Sequence, residues 1–291
     1  MRFINPKTDY AFKKIFGSDE SKDILISFLN ALIYEGNSTI QDLEIINPNL
    51  PPRVQGLKDT YLDVKAKLND GTLVIIEMQV LNVQSFGKRV IFNAAKTYAF
   101  QLQAGEGYRM LKPVIALTIT DFEMFQERDE LISHFIYREK NDSDIYPENE
   151  IELVFIELPK FTKELHQLET LTDKWIYFIK YARSLTEIPE KMDDVTELHR
   201  AFEIANQADL TPAELEDLER QEMFIYDQQG AIALGLEQGR QEGLEQGREE
   251  EKLAIARNLL DRLDDETIAG TTGLSIEQVR ELRGDVSSRD I

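Results

Sequence analysis

The stretch YLDVKAKLNDGTLVIIEMQVL, residues 61–81, decides the fold of this chain, because it joins two strand patterns through a turn signal. Polar and apolar residues alternate over 61–68, as in a half-buried strand, whereas 72–81 is almost continuously apolar. The Asn-Asp-Gly sequence at 69–71 is a strong hairpin signal. The stretch therefore predicts a β-hairpin with one half-buried and one buried strand.

Two polar residues, Glu77 and Gln79, interrupt the apolar strand of this hairpin. Burying an ionised carboxylate without a partner is costly. We therefore expect Glu77 to lie at a cleft, to pair with a cation or to hold a metal ion.

The length of the turn decides which residue faces Glu77. A two-residue turn at 70–71 places Asp63 opposite Met78, on the sheet face away from Glu77. A three-residue loop at 69–71, with a left-handed glycine, places Asp63 opposite Glu77 instead. The second register brings two carboxylates together.

Opposed carboxylates on neighbouring strands repel each other unless a positive charge lies between them. In the second register Tyr61 also faces Gln79. Oxygen ligands of this kind suit Mg²⁺ or Mn²⁺, which carboxylates, waters and a phosphate commonly hold in phosphodiester chemistry. The alternative is a solvated face on which Asp63 and Glu77 pair with the lysines of the first strand.

The segments on either side of the hairpin predict a sheet with helices on its faces. In chain order, the predicted elements are a helix at 22–34, an edge strand at 40–46, the hairpin, a helix at 86–103 and a strand at 114–120.

The composition excludes several kinds of site. With no cysteine, the chain has no disulfides, thiolate zinc site or cysteine nucleophile. Its three histidines, His134, His166 and His199, lack metal-binding spacing and are interpreted as structural. The N-terminus has no secretory signal, and no apolar run is long enough to span a bilayer, so we expect a cytoplasmic protein without a membrane partner.

The net charge of -21 is unevenly distributed along the chain. Residues 1–120 contain 14 Lys and Arg against 12 Asp and Glu, whereas 121–291 contain 19 against 42. A polyanion such as DNA is bound through basic residues. The first part of the chain is therefore compatible with a phosphate partner.

The part of the chain after residue 120 continues as mixed α/β. The predicted elements are strands at 132–138 and 153–158, helices at 174–185 and 195–208, and a helix that begins with a capping box at Thr211 and Glu214.

A Gly repeat, GLEQGRQEGLEQGREE, follows and places a glycine at every fourth position from Gly235 to Gly247. Each glycine weakens a helix by about 1 kcal/mol relative to alanine. The same spacing forms a bare stripe that allows close helix packing. Two interpretations remain open, a solvated flexible linker and a self-association segment.

The segment 252–291 predicts two or three short helices, one that begins at Asp264 and another that Ser275 caps with Gln278. It resembles a helix-turn-helix, whose second helix would begin at Ser275. It contains 6 basic and 8 acidic residues, which is unfavourable for binding in a DNA groove. A small packing module is the alternative to DNA contact.

Several motifs resemble the PD-(D/E)xK nuclease family of transposases, also called recombination-promoting nucleases (Rpn). They appear in the same order as in that family over residues 1–120. These motifs are DYAFKKIFG with Asp9 and Lys13, YLDVKA with Asp63, DGTLVIIEMQ with Glu77 and Gln79, and FGKRVIFNAAKTYAFQL with Arg89 and Tyr98.

The resemblance implies a restriction-endonuclease-like α/β fold with an αβββαβ core, and Mg²⁺- or Mn²⁺-dependent cleavage of DNA. It assigns Asp63 and Glu77 as metal ligands and makes Gln79 the third catalytic position. Gln79 replaces the lysine of the wider superfamily, and a glutamine can orient a water but carries no charge.

Three basic residues on the flanking helices, Lys13, Lys88 and Arg89, are candidates for the missing positive charge and for contacts with DNA. Asp9 either adds a carboxylate to the site or caps the first helix. Tyr98 is either part of the site or a core aromatic residue.

We therefore divide the chain into a nuclease-like domain at 1–228 (core 1–120, mixed α/β elaboration 121–228), a Gly-repeat helical linker at 229–251 and a helical module at 252–291. The expected function is a metal-dependent DNA endonuclease associated with recombination or mobile elements, assembled as a dimer through the Gly-repeat helix. The alternative is a catalytically weak DNA-binding or assembly protein, and RNA is an alternative substrate.

Overall fold

The computed structural model describes residues 1–50 and 60–287. The chain divides into two compact units, Met1–Ile225 and Tyr226–Ile291, which we call the first and second units.

A mixed sheet forms the centre of the first unit. The strands are β1 (Leu43–Ile46), β2 (Asn49–Leu50), β3 (Thr60–Tyr61), β4 (Val64–Leu68), β5 (Leu73–Gln79), β6 (Val114–Thr120), β7 (Ile132–Phe135) and β8 (Ile151–Glu157). Six of them form one sheet in the order β1-β4-β5-β6-β8-β7, and β2 pairs with β3. The neighbours β1, β4 and β5 are antiparallel, whereas β5, β6 and β8 are parallel. The predicted mixed sheet is confirmed.

Helices cover both faces of this sheet. They are α1 (Asp9–Phe16), α2 (Lys22–Ile33), α3 (Phe86–Ala99), α4 (Leu171–Tyr181), α5 (Glu190–Asp193), α6 (Thr196–Ile204) and the start of α7 (Pro212–Leu259). Side chains of α1, α2, α4 and α6 join Val64 and Ile76 in the larger core on one face. Phe86 and Val90 of α3 pack with Ile75 on the other face.

The hairpin between β4 and β5 has the three-residue loop. Val64 pairs with Ile76, and the N–H of Leu68 bonds the carbonyl of Thr72 at 2.8 Å. Gly71 has a φ of +92°, which a residue with a Cβ rarely adopts. This is the register in which the strand positions of residues 63 and 77 correspond.

The first strand of the hairpin is shorter than predicted, because the chain leaves the ladder before Val64. Tyr61 pairs with Asn49 of β2, and the N–H of Leu62 donates to the carbonyl of Pro48 at 3.3 Å. The expected pairing of Tyr61 with Gln79 is therefore wrong. A second short sheet competes for the backbone of this segment.

Helix α3 also ends earlier than predicted, at Ala99. The side chain of Gln101 bonds the backbone N–H and carbonyl of Lys112, at 2.9 and 2.8 Å. These bonds join the loop after α3 to the segment before β6, so the chain turns instead of continuing the helix.

The Gly repeat lies within the continuous helix α7, so its glycines do not end the helix. A Cβ built on Gly235, Gly239, Gly243 or Gly247 meets no atom within 4 Å. Within the described ranges, no helix has the length and apolarity needed to cross a membrane.

The end of α7 packs with α8 (Asp265–Thr272) and α9 (Ile276–Ser287) around a small core that includes Leu260, Ile268 and Val279. Asp264 caps α8, and Ser275 with Gln278 forms a capping pair at the start of α9, as predicted. Residues 288–291 of the predicted module lie outside the described residues.

Candidate active site

Asp63 lies at the break between β3 and β4 and is only 8% exposed. Its Oδ2 accepts a hydrogen bond from the N–H of Met78 at 2.8 Å, and its Oδ1 is 3.5 Å from Nζ of Lys13. The β4–β5 ladder ends at the Val64–Ile76 pair. Asp63 is therefore joined to β5 twice, through its own N–H to the carbonyl of Ile76 at 3.3 Å and through its carboxylate to the N–H of Met78.

The environment of Asp63 disfavours its charge. Burial raises the pKa of this carboxyl to about 6, and the nearby charges of Asp9 and Glu77 act in the same direction. The N–H of Met78 and the ammonium of Lys13 lower the pKa, but less than burial raises it. At neutral pH the ionised Asp63 requires positive charge nearby.

Glu77 lies on β5, and its side chain is 15% exposed. Its Oε1 is 2.7 Å from Nη2 of Arg89, and its Oε2 accepts a hydrogen bond from Nδ2 of Asn93 at 3.4 Å. Burial raises the pKa of Glu77, and the charge of Asp9 raises it further, against the effects of Arg89 and Asn93. Asp9 thus couples electrostatically to both carboxylates.

Gln79 follows Glu77 on the same side of β5, because strand side chains alternate. Its Oε1 accepts a hydrogen bond from Nη2 of Arg89 at 2.6 Å, and its Nε2 donates to the carbonyl of Leu81 at 2.7 Å. The Arg89 guanidinium also lies 5.0 Å from the centre of the Phe86 ring. Arg89 therefore bridges Glu77 and Gln79 with a positive charge.

Helix α1 contributes Asp9 and Lys13 because residues four apart share one face of a helix. Their charged groups are 3.5 Å apart. Phe12 and Phe16 are fully buried in the larger core and fix the orientation of α1. Thr8 is the N-cap, since its side chain accepts a hydrogen bond from the N–H of Ala11.

Two residues of the predicted set lie elsewhere on α3. Lys88 is exposed, and it forms no ion pair with any residue in 1–50 or 60–287. Tyr98 is near the opposite end of α3 and lines a separate cavity of about 730 Å³ with Tyr108 and Glu148.

A cavity of about 450 Å³ adjoins the site within the first unit. This volume is within the range of small-molecule sites. Asp9 and Gln79 belong both to the charged cluster and to the cavity wall. The other lining residues are Lys7, Met78, Val80, Arg220, Gln221, Phe224 and Ile225.

Asp63 and Glu77 are candidate ligands for a divalent cation that substrate would help to hold. Within the described part of the chain, no group of three or more His, Cys, Asp or Glu could hold a metal ion. Mg²⁺, however, is commonly bound by one or two carboxylates and completed by waters and phosphate oxygens. Asp63 and Glu77 supply two such carboxylates, both destabilised by burial.

Sequence reasoning missed Asn93, the second α3 residue that contacts Glu77. The sequence feature that could have identified Asn93 is its position one helical turn after Arg89, since residues four apart project from the same face of a helix. The three histidines lie outside this cluster, and two of them pair with acids elsewhere: His134 with Glu152 and His199 with Asp193.

Comparison with known proteins agrees with the mixed α/β fold. No curated protein and no solved structure matches this chain. The family model for PD-(D/E)XK nuclease family transposases matches residues 6–235, which include the whole cluster. With its mixed sheet, its flanking helices and a family match over most of its length, the chain belongs to the PD-(D/E)XK nuclease family of transposases.

Proposed function

We propose that the protein is a metal-dependent endonuclease that hydrolyses phosphodiester bonds of DNA during recombination or transposition. The observation that supports this most directly is two carboxylates with little exposure, the buried Asp63 and the partly buried Glu77, beside the 450 Å³ cavity of a nuclease-family chain. Burial raises the pKa of both acids, so their charged forms lower the stability of the fold. Acids with perturbed pKa values are typical of functional sites.

In this proposal Asp63 and Glu77 hold Mg²⁺ or Mn²⁺. The ion supplies a more acidic water and neutralises charge on the phosphate oxygens. Lys13 contacts Asp63 at 3.5 Å and is 43% exposed, so an ion can replace it as the countercharge without unfolding of the site. The carboxylate of Asp9 adds negative charge near Asp63 and Glu77, which attracts the cation.

Arg89 supplies the positive charge that a lysine supplies in the wider superfamily, because this chain has the uncharged Gln79 at that position. Its guanidinium is fixed by Glu77 at 2.7 Å and by Gln79 at 2.6 Å, so its charge is held at the end of β5. Arginine binds phosphate oxygens through several N–H donors. We assign Arg89 and Lys13 to the phosphate near the cleaved bond, and the exposed Lys88 to a flanking phosphate.

The test is cleavage of supercoiled plasmid DNA with Mg²⁺ or Mn²⁺. Asp63→Asn and Glu77→Gln keep the side-chain shapes and should each abolish nicking. Glu44→Gln, which changes an exposed acid on β1 of the same sheet, is the matched control and should cut normally. Nicking that survives both site substitutions would reject the proposal. A single-stranded RNA of the same length distinguishes RNA from DNA as substrate.

A second candidate function is DNA binding or assembly with weak catalysis. The observation that favours it is that both ends of the Gln79 amide form hydrogen bonds. Its Oε1 accepts from Arg89, and its Nε2 donates to the carbonyl of Leu81. This leaves the amide poorly placed to orient a water. Tight binding of DNA without nicking, over a series of metals and DNA structures, would support this function, whereas metal-dependent turnover would exclude it.

We also propose that α7 mediates dimerisation through the Gly repeat. Exposed leucines accompany the bare glycines, including Leu236 at 70% and Leu244 at 51% exposure. Apolar side chains beside small residues are favourable for close helix packing. Deleting residues 230–260 should halve the mass measured by light scattering, and an unchanged mass would contradict the dimer.

A further inference from the structure

Asn93 is a buried polar residue within the FGKRVIFNAAKTYAFQL motif, and neither the roles assigned to Arg89 and Tyr98 there nor the charge of the site explains it. Its exposure is 1%, and its Nδ2 donates to Oε2 of Glu77 at 3.4 Å. Within the described residues, its Oδ1 accepts no hydrogen bond. Burying an amide with an unpaired oxygen opposes folding, so an apolar residue would be the more stable choice at this position.

The space around the Asn93–Glu77 contact is almost completely filled. A small cavity bordered by both residues leaves about 10 Å³ for the centre of a water molecule, which is near the minimum for one water. Its other walls are mainly apolar side chains of the sheet and α3, such as Ile75 and Val90, together with Thr118. The Asn93 amide therefore has little room to rotate away from Glu77.

Asn93 and Arg89 contact different oxygens of the same carboxylate. Arg89 binds Oε1, and Asn93 donates to Oε2. The two residues are one turn apart on α3, so a single rigid helix presents both donors. A carboxylate held at both oxygens has one orientation, whereas a carboxylate held at one oxygen can rotate about its last bond.

We propose that Asn93 is a positioning residue that holds the Glu77 carboxylate in its metal-binding orientation. The inference rests on the proposed role of Glu77 as a metal ligand. Residues that orient metal ligands commonly change metal affinity or activity by about 10- to 100-fold when they are substituted. Asn93 should therefore contribute to metal binding without touching the metal or the DNA.

The test compares Asn93→Leu with Thr97→Val. Thr97 is one turn further along α3 and is also almost completely buried. Its hydroxyl oxygen, like the amide oxygen of Asn93, has no hydrogen-bond partner among the described residues, so its substitution causes a similar local change. Asn93→Leu should weaken the binding of Mn²⁺ to the DNA-free protein by about 10-fold or more in calorimetric titration. It should lower kcat for plasmid nicking similarly and leave KM for DNA unchanged. Thr97→Val should match the wild type in all three quantities.

Three results would overturn the inference. The first is an Asn93→Leu protein with wild-type Mn²⁺ affinity and kcat. The second is an equal loss in Thr97→Val, which would indicate general packing of α3. The third is a change in KM alone. If Asn93→Leu does not fold, Asn93→Ala removes the donor without added bulk and takes its place. A wild type that neither binds Mn²⁺ nor nicks DNA would instead refute the proposed function, and the inference with it.

Discussion

Among single residues, the acids of the site oppose the stability of the fold. Asp63 is 8% exposed, and its pKa of about 6 lies roughly two units above the value of a solvated aspartate. Each unit corresponds to about 1.4 kcal/mol of preference for the protonated form. The protein therefore retains a charge at this position that reduces its stability at neutral pH.

Asp63→Asn should stabilise the fold while it abolishes cleavage. Because the pKa is higher in the folded than in the unfolded state, the cost of ionised Asp63 is absent below about pH 4 and complete above about pH 6. We expect a gain of about 1–3 kcal/mol at pH 8 with EDTA, which disappears towards pH 4. Urea denaturation at both pH values measures it. Glu44→Gln should show no such gain, and an Asp63→Asn protein less stable than the wild type at pH 8 would contradict the prediction.

Arg89 is the residue whose loss should affect Glu77 most. Arg89→Met leaves the partly buried Glu77 carboxylate without its cation at 2.7 Å, and should cost about 1–3 kcal/mol. In a Glu77→Gln background the same change should cost much less, because no charge remains to be paired. Denaturant unfolding of the four proteins gives the coupling energy. Additive effects would show that the ion pair contributes little.

Arg89→Lys separates charge from geometry at the same position. A lysine ammonium is a point charge on a flexible chain, whereas the guanidinium contacts Glu77 and Gln79 together. We expect Arg89→Lys to retain most of the stability and to lose at least about 10-fold in nicking rate. Full activity in the lysine variant would show that positive charge alone is sufficient.

Among the elements of the fold, the hairpin and α1 do most to assemble the site. The register of the hairpin determines that Glu77 and Gln79 face α3, where Arg89 lies. A slip of one residue would move both side chains to the opposite face. Helix α1 is held by its phenylalanines on one side and directs Lys13 towards Asp63 on the other.

Substitutions of Gly71, the glycine of the loop between β4 and β5, test how much the fold depends on the conformation of the hairpin. Gly71 has a φ of +92°, and a Cβ there would lie 3.1 Å from Cε of Lys112. Gly71→Ala should cost about 1–2 kcal/mol, because a residue with a Cβ is strained at this φ. Gly71→Asn should cost less, since asparagine tolerates positive φ better. Equal losses in urea unfolding of the two variants would mean that steric contact, and not the backbone angle, determines the stability.

The start of α7 is held against α1 by one acidic residue. Glu214 accepts hydrogen bonds from Tyr10 and from Nζ of Lys14, and it also completes the capping box with Thr211. This contact places the first turns of α7 beside the cavity next to Gln79. The elaboration after the core therefore completes a wall of the candidate active site.

At the scale of the whole molecule, the proposal to be tested is self-association through α7. A Cβ added to any glycine of the repeat would meet no atom of another residue within 4 Å outside the helix's own backbone, so alanines can replace them in the monomer without a clash. Replacing Gly235, Gly239, Gly243 and Gly247 by Ala should raise helix stability by up to about 1 kcal/mol for each change. The same change should weaken the proposed dimer, because the added methyl groups separate the helices.

Thermal melting by circular dichroism and mass by light scattering report these two effects independently. A higher melting temperature with a monomeric mass is the expected result. A variant that remains dimeric would show that the stripe is not the interface, and the repeat would then be interpreted as an exposed helical linker. Replacing the exposed Glu242 by Ala is the matched control and should leave the mass unchanged.

The sequence determined the features that depend on neighbouring residues. Strand alternation and the Asn-Asp-Gly turn predicted the hairpin and limited it to two registers, of which the structure has the one with the three-residue loop. The capping signals at Thr211, Asp264 and Ser275 also appear as predicted. These features are local, because backbone angles and side-chain spacing within a few residues decide them.

Only the tertiary structure decided how the acids are neutralised and where the strand before Asp63 breaks. Lys13 is fifty positions from Asp63, Asn93 is sixteen from Glu77, and the partner of Tyr61 is Asn49. Such contacts depend on how helices pack on a sheet, and a periodic pattern specifies the buried face of a helix but not the residue it meets. The sequence by itself therefore determined the hairpin and its two carboxylates, whereas long-range packing decided the side chains that hold them.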